Sequence, residues 1–63
     1  MVFFFRNNNG EISLDEIIEN GKRLFYLVTL KKGNHVQTYP EQDKTEAVKW
    51  WKALANNQLI YAD

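Results

Sequence analysis

Apolar and polar residues change their spacing several times along this chain, and each change marks an element. Residues 2–5, Val-Phe-Phe-Phe, form an unbroken apolar run of strand-favouring types. A run buried on both faces reads as a central strand. Asn7, Asn8, Asn9 and Gly10 interrupt it with residues that tolerate turn conformations. The stretch from Ile12 to Gly21 predicts a short helix. Ser13 stands as N-cap and Glu16, three residues on, completes a capping box, while Ile12 and Ile17 occupy the positions of a hydrophobic staple. Leu14, Ile17 and Ile18 lie on one side of that helix, and Gly21 is its stop.

The next stretch predicts a hairpin. Leu24 to Leu30 is rich in strand formers, Gly33-Asn34 supplies a turn, and Val36 to Tyr39 returns until Pro40 ends the arm. A second helix starts at Asp43, paired with Glu46 as a further capping box. At helical spacing Ala47, Val48, Trp51, Leu54 and Ala55 share one face. Residues 59–62, Leu-Ile-Tyr-Ala, have the composition of a last short strand. The expectation is one α+β domain over residues 1–63, a small antiparallel sheet with two helices on one face in the order β-α-β-β-α. With the final strand paired, that order becomes the ferredoxin-like βαββαβ arrangement.

Composition narrows this picture. Sixty-three residues make one domain. A chain of this size buries only about 60% of its unfolded surface. There is no cysteine, so neither disulfides nor thiolate metal ligands are available. Eight basic and eight acidic side chains cancel, whereas proteins that rely on phosphate neutralisation carry a basic excess. The opening apolar run is too short for a signal peptide or a membrane span, which gives a cytoplasmic protein without membrane contact as the expectation. The frequency of Asn and Lys fits an AT-rich genome such as that of a phage or mobile element.

Candidate chemistry is sparse. Asn7, Asn9, Gly10, Ser13 and Glu16 fall at positions of a calcium loop, and this segment resembles that of the EF-hand family. The resemblance implies ligation by Asn7, Asn9, Ser13 and Glu16. It departs from the pattern at the first ligand position, where Phe5 has no side-chain oxygen. A turn followed by a capped helix accounts for the same residues, and no metal or cofactor is expected. His35 is the only histidine and lies beside a turn with no second ligand or base near it in sequence. With no paired acid and base and no activated nucleophile in view, the chain reads as non-enzymatic.

Two binding classes remain. The segment from Leu24 to Leu54, a hairpin followed by the helix that starts at Asp43, looks broadly like the arm-binding domains of tyrosine recombinases, in which a sheet docks on DNA, and the basic hairpin over 22–35 with the helix over 44–52 would form such a nucleic-acid-binding module. Lys22, Arg23, Lys31, Lys32 and Lys44 would then contact phosphate. Aromatic residues on central strands also invite comparison with the RNA-recognition motif, whose glycine-aromatic signature is absent here. The leading expectation is protein binding by a regulator, inhibitor or accessory factor, with self-association as one form of it. Its anchors are Trp50, Phe25, Leu27 and Tyr26, because large apolar side chains carry interface centres. Trp50 and Trp51 are neighbours, so on a helix they point about 100° apart. Trp51 falls within the apolar arc and Trp50 at its edge.

Overall fold

The computed structural model describes residues 2–56. Four strands and one helix follow in order: β1 (Phe3–Asn7), β2 (Gly10–Glu19), β3 (Lys22–Lys32), β4 (His35–Glu41) and α1 (Lys44–Leu54). The strands pair antiparallel in sequence order, β1-β2-β3-β4, as a meander. α1 returns across one face of the sheet and touches β2, β3 and β4. The class is α+β, as the pattern predicts, but with one helix among the described residues instead of two. The final strand expected over residues 59–62 lies outside them.

The correction concerns residues 13–19. The expected helix is the long strand β2, so the β-α-β-β-α order and its ferredoxin-like extension do not hold. Ser13 is not an N-cap. It faces Phe4 on one side and Thr29 on the other, and its Oγ donates to Asp15 Oδ2 at 3.4 Å. Ile12, Ile17 and Ile18 of β2 carry β-branched side chains that suit a pleated surface. Pairing with β3 along the whole stretch, joined by β1 at Ser13 and Leu14, outweighs the local capping signal.

Asn20-Gly21 is consequently a hairpin turn and not a helix stop. Asn20 has φ 55° and Gly21 φ 76°, the left-handed pair that a type I′ turn needs to match strand twist. Gly33, at φ 59°, opens the β3–β4 turn as its one residue with positive φ. β1 is also an edge strand and not the central one, leaving Phe3 and Phe4 exposed. Pro40 does not end β4, which runs to Glu41. An edge strand accepts proline because one row of its backbone groups has no partner to lose.

The core forms where alternate strand residues meet the helix. Phe5, Ile12 and Leu30 make one cross-strand row, and Phe3, Leu14, Val28 and Tyr39 the next. Ile12, Leu14, Val28 and Leu30 are buried with Tyr26 from the strands, Ala47 and Leu54 from the helix and Ala55 from its C-cap. Phe5, Tyr39, Val48 and Trp51 pack around them. Asp43 caps α1, accepting from the Thr45 backbone N–H at 3.2 Å, while Glu46 and Lys52 complement the helix dipole.

β1 pairs no further than Phe3 with Leu14, and β4 no further than Glu41 with Tyr26. Beyond those points β2 and β3 continue alone as a two-stranded arm. The register slips between Ile17 and Ile18, so Leu24 is the extra residue of a bulge. The arm helps stretch the molecule to 40 × 22 × 15 Å.

Candidate docking surface on the open sheet face

Successive strand residues point to opposite faces. With the even-numbered residues of β2 and β3 under the helix, the odd-numbered ones form the other face. The register groups them into four cross-strand rows. Arg6, Glu11, Lys31 and Val36 stand at the end carrying the β1–β2 and β3–β4 turns. Phe4, Ser13, Thr29 and Thr38 come next, then Asp15, Leu27 and Pro40. Ile17 and Phe25 finish the face at the start of the arm.

Among the described residues no element packs on this face. Ser13, Asp15, Ile17, Phe25, Leu27 and Thr29 are half-buried. Phe4 and Val36 at the two edges are exposed, and the Arg6 guanidinium lies 6.0 Å from the Phe4 ring centroid. The result is an apolar end (Ile17, Phe25, Leu27), a hydroxyl row in the middle and a charged row at the turn end.

The expected anchors divide. Phe25 and Leu27 share the open face. Tyr26 does not: it is only 4% exposed under the helix side of the sheet. There the Arg23 guanidinium stands 5.0 Å above its ring and donates from Nη1 to the phenolic oxygen at 3.2 Å. Tyr26 is a core residue, as alternation with Phe25 and Leu27 requires. Trp50 belongs to a different surface. It is 43% exposed and stacks on Tyr39 of β4, with ring centroids 5.3 Å apart and planes at 14°. Glu46, Lys49 and Ala53 border a shallow depression beside it. Trp51 points instead toward β1, 5.3 Å from the Phe3 ring, and its indole N–H donates to the Ile12 carbonyl at 3.3 Å.

The basic residues expected to track phosphate are dispersed. Lys22 and Arg23 stand at the arm tip, whereas Lys31 and Lys32 end the same strand, roughly 30 Å away at strand rise. Lys44 begins α1 on the far side of the sheet. Arg6, absent from the sequence-based set, joins Lys31 around a depression lined also by Asn7, Asn8, Asn9 and Glu11. The calcium-loop residues do not converge either. Asn7 Oδ1 accepts from the Asn9 backbone N–H at 2.8 Å within the turn. Ser13 and Glu16 lie on opposite faces of β2. Among the described residues no cluster of three His, Cys, Asp or Glu side chains is placed to hold a metal ion.

Phe4, Glu11 and Thr38 also belong to the open face and were not singled out from sequence; Ser13 and Ile17, expected on a helix, join them, and Thr29 follows Phe25 and Leu27 by strand alternation. The signal that reveals them is Asn20-Gly21 between two apolar stretches, the strongest short hairpin signature. It places residues 12–19 opposite 22–30 and turns an apparent helix into alternating faces. Comparison with protein-family models, with curated proteins and with solved structures found no match to this chain. No helix among the described residues is long and apolar enough to cross a membrane.

Proposed function

We propose that this chain is a non-enzymatic protein-binding module, a regulator, inhibitor or accessory factor, and that it docks through the open face of its sheet. The observation that carries this reading is one-sided coverage. α1 packs on one face, while the other holds the apolar group Ile17, Phe25 and Leu27, with exposed Phe4 apart from it on the β1 edge. Contiguous apolar surface rimmed by polar groups marks interaction sites more often than isolated apolar residues do. The hydroxyl and charged rows supply the polar rim that gives a docking face its orientation.

Nucleic-acid binding receives less support, because the cations form no continuous track and Glu11 and Asp15 sit on the open face itself. Immobilised chain used to capture proteins from its native lysate tests the choice. Phe25→Asp on the exposed end of the sheet should lose the captured partner, while Lys31→Glu with Lys32→Glu weakens it less. Retention of nucleic acid that disappears after nuclease treatment, with a steep salt dependence, would replace the protein-binding reading.

A further inference from the structure

We infer that the occupant of the open face is a second copy of this chain, with the two sheets packed face to face about a two-fold axis. The inference rests on the docking role proposed for that face, and it is the register that selects the partner. A face that binds its own copy must be self-complementary about an axis lying in the interface. For a sheet, two simple orientations satisfy this.

In the first, the axis runs parallel to the strands between β2 and β3. Each row then lies over the same row of the partner, reversed, so that β2 covers the partner's β3 and β1 covers its β4. Glu11 of each chain meets Lys31 of the other, since both belong to one row. Ser13 meets Thr29 in the hydroxyl row, and Ile17 meets Phe25 at the arm. The contact therefore has two opposite-charge pairs at one end and a four-residue apolar cluster at the other; between them Asp15 of each chain lies over Leu27 of the other and keeps the Ser13 hydroxyl as a donor. This is the aligned arrangement that twisted sheets adopt in sandwiches, with strands within about 30° of each other.

In the second orientation the axis runs across the strands. The turn-end row would then cover the arm row, placing Glu11 over Ile17 and Lys31 over Phe25. Two charges per chain would lose water without a partner, which costs far more than the apolar contact returns. The first orientation sets one charge per chain, Asp15, over an apolar residue against two in the second, and it alone pairs Glu11 with Lys31, so charge complementarity selects it.

Size sets the strength. Four strands span roughly 19 Å and the four rows roughly 20 Å along them, so each copy offers less than the about 800 Å² of a standard interface. The dimer is consequently reversible and concentration-dependent.

Sedimentation of the full chain over a concentration series up to about 1 mM should show a monomer that becomes a dimer. Glu11→Lys and Lys31→Glu, each alone, should weaken dimerisation at least tenfold, because like charges then face one another. An equimolar mixture of the two variants should dimerise again, as a heterodimer. Glu11 and Lys31 are also cross-strand neighbours within one chain, and mixing cannot mend an intrachain pair, so recovery reports the contact between copies. Far-ultraviolet circular dichroism establishes that each variant is folded. Should either fail to fold, Thr29→Arg serves instead and should likewise abolish the dimer. A wild-type chain that stays monomeric throughout, single variants that dimerise like the wild type, or a mixture that remains monomeric would each overturn the second copy as occupant. A monomer that still captures another protein through Phe25 overturns this inference and leaves the docking role of the face standing.

Discussion

At the residue scale, two adjacent tryptophans have separate tasks. The helix sends Trp51 toward β1, where it packs on Phe3 and hydrogen-bonds the Ile12 carbonyl, and sends Trp50 toward β4, where it stacks on Tyr39. Together they brace α1 toward both edges of the sheet. Removing a fully buried Trp costs about 3–5 kcal/mol. Trp51 is only half-buried, so Trp51→Ala is expected to cost about 2–3 kcal/mol by urea denaturation. Trp50→Ala removes a more exposed ring and a stacking contact worth about 0.5–1.5 kcal/mol beyond area, and is expected to cost about 1 kcal/mol. Equal losses from the two would show that the helix does not sit as described. Spacing on the helix alone distinguishes these roles, because 3.6-residue periodicity puts Trp51 inside the arc of Ala47, Val48 and Leu54. What spacing does not contain is the partner of each ring, since Phe3 and Tyr39 are brought there only by the sheet.

At the element scale, the last helix was legible in the sequence and the expected first one was misleading. Asp43 caps α1 as its position implies. Ser13 has the same local signature, and there the signature fails because β2 is paired on both sides, by β1 and by β3. Capping is worth about 1 kcal/mol, and the summed pairing and burial of a central strand exceed it. The two sites can be told apart by substitution. Asp43→Ala should lower stability by about 1 kcal/mol. Ser13→Val should leave stability unchanged or raise it by a few tenths of a kcal/mol, since a β-branched residue suits a strand. A loss of about 1 kcal/mol at Ser13 would favour a capped helix there instead. The turns give a third check. A Cβ at Gly33 would meet nothing within 4 Å, so Gly33→Ala should cost only the left-handed backbone penalty, about 1–2 kcal/mol.

At the scale of the whole molecule, one sheet separates two unlike surfaces. The helix covers the first, with Trp50 at its margin. The second is open and graded from charged to apolar along the strands. Sequence identifies Phe25 and Leu27 as members of this surface because they alternate with core residues. It does not reveal Phe4, Arg6, Glu11 or Ile17, whose placement depends on which strand pairs with which. The dispersal of the lysines is likewise invisible in one dimension: Lys22 and Lys31 are close in sequence, yet a fully extended β3 holds them at opposite ends. Hydroxyl-radical footprinting of the free chain and of the chain in its complex, whether with a second copy or a captured partner, tests directly which surface is used. The account predicts that oxidation of Phe4, Phe25 and Leu27 falls several-fold on association while Trp50 reacts as before. Protection of Trp50 with no change at Phe25 and Leu27 would contradict it.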